Sequence, residues 1–349
     1  MASNKFLKKI LIGGALTAGA AAWAIKPRSF SDKQRNFVPS IPDVWYAHRG
    51  LHDAGSGLTA QYAVESGEYV ALARRMAIKA GYGDASVSGP IAPENSLASF
   101  AAACEAGYGI ELDLQLTADD QVVVVHDPDL MRVAGGAPPR RIADLTYDEL
   151  TRIPLFPNDA SGAAVASALP GSDDPESMAT PLNAPSGYYQ HVPLFSDVLD
   201  VVAGRAPLIV EYKFDDNSAW GPRDEELMEK GDALLQAYDG PYVVESFNPA
   251  AVHWYADHRP EVCRGQLAWG PSLEEAGLKE WAAGLLIFDW ISRPDFIAYD
   301  WSGGNSPQMR LARAMGAVPV SWTVRSSDEL AQCDDWFDHH IFEAFVPDR

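Results

Sequence analysis

Cysteine is nearly absent from this chain. Only Cys104, Cys263 and Cys333 occur in 349 residues. They are odd in number and show no C-x-x-C spacing, so neither a disulfide framework nor a thiolate zinc site is expected; they read as small core residues. Positive charge is scarce too. With 27 Lys and Arg against 48 Asp and Glu, the formal net charge is −21, which excludes a nucleic-acid footprint and a basic membrane-surface patch. No G-x-G-x-x-G turn follows a strand-like run, which removes a dinucleotide site, and no internal repeat is visible. Apolar residues, by contrast, are plentiful. The hydrophobic share is 47%, enough for one large domain that needs no disulfide staples.

The first residues stand apart from that domain. Lys5, Lys8 and Lys9 precede the uncharged stretch Ile10–Ile25, ILIGGALTAGAAAWAI, which is followed by Lys26-Pro27-Arg28. It is shorter than the roughly 20 residues of a spanning helix and rich in Gly and Ala, so it reads as a signal peptide or a short membrane anchor. The small-x-small triplets Ala18-Gly19-Ala20 and Ala22-Trp23-Ala24 permit cleavage. Basic residues on both sides leave the positive-inside rule undecided. A buried helix of the domain is disfavoured, because nothing polar gives the stretch a second face. Residues 1–31 are therefore expected to target a membrane, leaving the protein membrane-anchored or secreted with its folded domain outside the cytoplasm.

From Val44 onward strand-like and helical patterns alternate. Strands are predicted at 44–47, 108–114, 121–125, 207–213, 241–246, 263–267, 284–289 and 317–323, with helices between most of them, including Ser96–Ala106 and Pro307–Met315. Apolar strands joined by helices imply a parallel sheet covered by helices. Eight of them fit a closed (β/α)8 barrel over 44–336, with 337–349 left as a C-terminal tail. An open doubly wound sheet would gather its ligands at one switch point, whereas the reactive residues here come from several strands. Two segments break the alternation: an insert at 51–92 and a low-complexity surface loop near 155–192.

Four short clusters carry the chemistry: His48-Arg49-Gly50, Glu111 with Asp113, His126-Asp127, and Glu211 with Lys213. Positions two apart on a strand face one side, so Glu111 and Asp113 point inward together, as do Glu211 and Lys213. Three inward carboxylates repel one another at low dielectric unless a cation joins them, and oxygen-only ligation suits Ca²⁺ or Mg²⁺ better than zinc. Arg49 and Lys213 suit a phosphate. His48 and His126, each after a predicted strand, suit proton transfer near neutrality, with the acid and base roles unassigned. The competing reading is a set of buried salt bridges using Arg49 or Lys213. Together the clusters describe a phosphodiester-cleaving site.

The motifs H-R-G, P-E-N-S, I-E-L-D-L-Q-L-T, V-V-x-H-D, D-L-T-x-x-E-L, V-E-Y-K, E-S-F-N-P and S-W-T-V run in that order from about Tyr46 to Arg325. In this the chain resembles the glycerophosphodiester phosphodiesterases. The resemblance implies a (β/α)8 barrel that hydrolyses glycerophosphodiesters to sn-glycerol 3-phosphate and an alcohol with one divalent metal. By position it puts the metal on Glu111, Asp113 and Glu211, acid–base chemistry on His48 and His126, and phosphate contacts on Arg49 and Lys213. Glu94 and Asn95 would line the site, although both also read as helix-capping residues. Trp322 would wall the glycerol carbons, or is a plain core residue. The other histidines, His52 and His340 among them, have no ligand spacing and read as surface or loop residues. Three departures stand out: the long first insert, Arg325 where many members have Asn, and a last segment without the usual short strand and D-x-P-like ending.

Two further expectations follow. The insert leaves the first strand directly after Gly50, hence at the catalytic face. Its helical run from Thr59 to Lys79 carries Tyr62, Val64, Tyr69, Leu72, Met76 and Ile78, and is expected to form a lid or side wall that helps select the alcohol. The partner is a small molecule, either a soluble glycerophosphodiester or, as a lysophospholipase D would take, a membrane lysophospholipid. A non-catalytic binding protein on the same barrel is disfavoured because every acid, base and metal position is filled.

Overall fold

The computed structural model describes residues 19–31, 40–135, 140–157 and 188–348. The fold is a (β/α)8 barrel. Its strands are β1 (Tyr46–Ala47), β2 (Gly109–Leu116), β3 (Val122–Val124), β4 (Leu208–Tyr212), β5 (Tyr242–Ser246), β6 (Arg264–Ala268), β7 (Phe296–Asp300), β8 (Val318–Val324) and β9 (His339–Phe342). The chain divides into a larger compact unit (Ile41–Val244, Thr323–Gln332 and His339–Arg349) and a smaller one (Met1–Ser40, Glu245–Trp322 and Cys333–Asp338).

In the larger unit β1 pairs in parallel with both β2 and β9, and β2 pairs in parallel with β4. Strand β2 is buried along nearly its whole length, as a stave covered on both faces must be. In the smaller unit β6 pairs in parallel with β7, and β7 with β8.

Two predicted strands and the expected tail need correction. Segment 121–125 does contain β3, but it runs antiparallel to β2, with Leu114 opposite Val124; it is a hairpin arm and not a stave. Segment 284–289 holds no strand. Leu285–Phe288 instead joins helix Leu273–Gly284 to helix Asp289–Ser292, with Leu286 at φ +60°, and the stave of this region is β7, further on. Of the run LLIF only Leu286 is buried, while Ile287 is exposed, and a short apolar run does not by itself select strand over turn. The third correction is β9, which lies where a tail was expected. Its pairing with β1 and the burial of Ile341, Phe342 and Phe345 carry the barrel through Phe342. The count of eight staves survives because β9 replaces the hairpin arm and β7 replaces 284–289.

The insert forms helix α1 (Ala63–Lys79), which packs on α2 (Leu97–Ala106). The buried residues of both helices are mostly alanine: Ala73 and Ala77 on α1, Ala98 and Ala101–Ala103 on α2. Small side chains let two helices approach closely. Val64, expected in the apolar face, is 97% exposed. Helix α1 is thus a buttress on α2. Of the segment near 155–192, residues 158–187 lie outside the described residues. So do residues 10–18 of the N-terminal stretch, while 19–25 are helical. Among the described residues no helix is long and apolar enough to cross a membrane.

Candidate active site

His48, Arg49, Glu94, Asn95, Glu111, Asp113, His126, Glu211 and Lys213 all belong to the larger unit. The register places Asp113 beside Glu211 on neighbouring parallel strands. Glu111 stands two residues back on the same face. One carboxylate oxygen from each of Glu111, Asp113 and Glu211 lies within 4.8 Å of the other two, and all three residues are buried. Oδ1 of Asp113 and Oε1 of Glu211 have no hydrogen-bond partner, although Lys213 Nζ stands 3.2 Å from the former. Buried carboxylate oxygens left unbonded are costly, and an all-oxygen donor set of this kind fits a hard divalent cation.

The cations of the site are turned on these acids. Lys213 Nζ is 2.7 Å from Glu211 Oε2. Arg49 donates from one terminal nitrogen to Glu94 (2.8 Å), and its Nε lies 3.5 Å from Asp113. Its backbone N–H donates to Glu111 Oε2 at 3.0 Å. Asn95 donates its side-chain amide to Asp113 Oδ2 at 2.8 Å, which is a site contact and not the capping role; Ser96 caps α2. Arg49 and Asn95 both sit in the left-handed backbone region, at φ +57° and +53°, and are joined by the Asn95 N–H to Arg49 O bond of 2.9 Å. Each such conformation costs about 1–3 kcal/mol for a non-glycine residue.

Titration follows from burial and these charges. Burial and the neighbouring Asp113 charge push Glu211 up, with Lys213 opposing. Asp113 stays low because Lys213, His126 and Arg49 outweigh its own burial. Burial would raise Glu94, but Arg49 and Arg132 hold it down at about 2. Burial pushes His48 down to about 4 despite the Glu343 carboxylate. His126 is lowered by burial and by Lys213. Both imidazoles are therefore neutral at neutral pH.

Each histidine is held through Nδ1 by a carboxylate: His48 by Glu343 and His126 by Asp127, both at 2.7 Å. His48 Nε2 faces Glu111, 3.9 Å from its Oε2. His48 follows β1 as expected. His126 arrives differently, after the antiparallel arm β3, whose return sets the Val125 N–H on Asp113 O at 2.9 Å.

Glu343 was missed in the sequence. It is fully buried and also receives Arg325 Nε at 2.5 Å and the Ser56 hydroxyl at 2.8 Å. Its only signal was a carboxylate closing the short run H-I-F. His52, read as a surface residue, is fully buried, with Nε2 3.5 Å from Glu343 and its ring edge on Tyr69; His340 is also buried, stacked on Trp45. Arg132 was missed as well; it donates to both oxygens of Glu94 and both of Asp127. The insert reaches these residues through Tyr69 of α1 and through its first turn. Ser56 N–H donates to Glu94 at 2.6 Å, and a Cβ on Gly57, at φ +75°, would stand 2.7 Å from the Glu343 carboxyl carbon. Trp322 lies in the smaller unit, donating to Ala298 O at 3.0 Å and edge-on to Phe247.

The model of the glycerophosphoryl diester phosphodiesterase family matches residues 85–342. The chain belongs to that family. It is an enzyme, a phosphoric diester hydrolase. Glycerophosphodiester phosphodiesterase 1 of Bos taurus is 24% identical over 274 residues, 74% of each chain. A phosphodiesterase of Oleispira antarctica, solved with its product sn-glycerol 3-phosphate, is similar at a TM-score of 0.52 and 19% identity, over 72% of this chain and 88% of that one. A glycerophosphodiester phosphodiesterase of Thermotoga maritima is similar at 0.50 and 17% identity, over 87% and 95%. At these identities the solved structures establish the fold. The family match begins after His48 and Arg49, which the long insert separates from the rest of the motifs.

Proposed function

We propose that this chain hydrolyses glycerophosphodiesters to sn-glycerol 3-phosphate and an alcohol, with one divalent cation, Ca²⁺ or Mg²⁺, held by Glu111, Asp113 and Glu211. The reading rests on that cluster, three converging buried carboxylates with two unbonded oxygens. A cation bound there would polarise the phosphoryl oxygens and offset the acids' charge. The chain's own groups would do the rest. Arg49 and Lys213 supply positive charge to the phosphate. With Nδ1 of each ring held by a carboxylate, His48 and His126 present Nε2 to the reacting centre. One ring, bare at Nε2, takes the proton of the attacking hydroxyl. The other acts as the acid from its imidazolium form, having first taken up a proton at Nε2, which the negative charge of the bound diester would favour, and gives that proton to the departing alkoxide. Glu94 and Asn95 position Arg49 and Asp113. Release of sn-glycerol 3-phosphate from glycerophosphocholine by the purified full chain, measured with and without chelator, tests the reading; no release with either cation sinks it.

Membrane association through Ile10–Ile25, with the barrel outside the cytoplasm, is part of the same proposal. It makes a lysophospholipase D the second reading, favoured by the exposed indoles of the smaller unit. Assay of lysophosphatidylcholine beside glycerophosphocholine separates the two.

A further inference from the structure

Most of the large apolar side chains exposed among the described residues lie in the smaller unit. The helical segment Leu273–Gly284, just past β6 and Trp269 and kinked at Gly277, buries only Ala282 and Gly284. Its large side chains Leu273, Leu278 and Trp281 point outward, at 51%, 70% and 37% exposure. This reverses the usual amphipathic order, in which the bulky apolar residues face the core. Further on, Ile287 and Trp290 are again exposed, at 36% and 48%, on either side of the buried Asp289. Trp290 stacks on Trp23 with ring centroids 5.9 Å apart.

Trp23 belongs to the uncharged stretch Ile10–Ile25, and its end is fastened here. Arg293 donates to the backbone oxygens of Trp23 and Lys26, each at 2.8 Å, and lies over the Trp23 ring. Arg28 makes a two-pronged ion pair with buried Asp295. The apolar N-terminal stretch therefore leads directly onto the outward-facing indoles.

We propose that this surface of the smaller unit docks on a phospholipid bilayer, with Trp23, Trp281 and Trp290 in the headgroup layer and Leu278 among the first acyl carbons. The inference rests on the membrane reading of the N-terminal stretch and extends it, giving the folded unit a lipid contact of its own. Indoles favour that layer because the ring is apolar and its N–H stays hydrated. Glu274, Glu275, Lys279 and Glu280, all exposed, interleave with the apolar residues, three acids and one base. Mixed charges of this kind match zwitterionic headgroups, whereas the core of a subunit interface is depleted of Glu and Lys.

Flotation of the full chain with phosphatidylcholine vesicles tests this. In the double variant Leu278→Glu/Trp281→Glu the vesicle partition coefficient should fall by about tenfold or more, since each buried apolar side chain contributes on the order of one decade. Val64→Glu, on the larger unit, should leave it unchanged. The thermal midpoint serves as the check of folding, so the result stands whether or not the diester reading does. Brominated phosphatidylcholine should quench tryptophan emission in the unsubstituted chain, which keeps the test decisive if the double variant unfolds. Absence of quenching, or unchanged partitioning in a folded double variant, overturns the proposal. So does a concentration-dependent dimer that the variant abolishes, since the surface would then belong to a second copy. Failure of the unsubstituted chain to float overturns membrane docking and leaves the hydrolase reading intact.

Discussion

Nδ1 of His48 lies 2.7 Å from Oε2 of Glu343, so the residue after the first stave is oriented by the residue after the last. The carboxylate sits well below its usual range, because His48, His52 and Arg325 outweigh its burial. It is thus ionised, and His48 carries its proton on Nδ1 with Nε2 free. Glu343→Gln keeps the shape and removes the charge. Its kcat should fall by about 10- to 100-fold, the usual cost of losing such an orienting partner, with a smaller change in KM. Gly57→Ala, whose new methyl would displace the Glu343 side chain, should lower kcat in the same direction. Steady-state kinetics on glycerophosphocholine reads both.

In the proposed mechanism the two imidazoles carry the proton transfers. His48→Ala and His126→Ala should each lose at least ~10² in rate, the lower range for general acid–base catalysis. Near-normal turnover in either variant reassigns that ring to structure.

Metal dependence is expected to be complete. Exhaustive chelation should abolish turnover, and Ca²⁺ or Mg²⁺ should restore it. The cation should also raise the thermal midpoint, by linkage worth about 2.7 kcal/mol at a hundred times its Kd. Glu211→Gln should weaken binding in both assays. Full activity after chelation, with no metal found by elemental analysis, contradicts the cluster's role.

Asp289 provides a pH test away from the site. Burial raises it well above the ordinary carboxylate value, and Arg293 opposes only in part. The folded chain therefore holds this proton more tightly than the unfolded one. The stability it contributes is complete below the unfolded pKa, near 4, and is lost as pH rises from there through the raised folded value. Asp289→Asn cannot ionise. Its thermal midpoint should match the parent near pH 4 and exceed it by about 2 °C or more near pH 8. An offset that does not change with pH rejects this account.

The α1–α2 contact depends on small residues. Ala73→Leu should cost about 1–3 kcal/mol by overpacking, read by denaturant unfolding. Val64→Ser should stay within about 0.5 kcal/mol.

Much of the site was legible because its residues violate local economy. Glu111, Asp113 and Glu211 sit in otherwise apolar strands, where an acid is costly unless something binds it, and the two-residue period fixes which side they face. His48 and His126 were found by adjacency to apolar runs. The barrel was legible from the alternation of strands and helices, although 121–125 and 284–289 misled, since a short apolar run fixes neither the direction of a strand nor strand over turn.

By itself, then, the sequence determined the barrel class, the family and the inward acids, all of which depend on local pattern and short spacing. Only the tertiary structure decided that β9 closes beside β1, that Glu343 reaches both His48 and His52, that Arg132 spans Glu94 and Asp127, and that α1 buttresses α2. Those contacts join residues far apart in the chain. A four-residue strand, or a lone arginine in a loop, acquires its partner only when the staves pair, because no local period records which distant backbone will lie alongside.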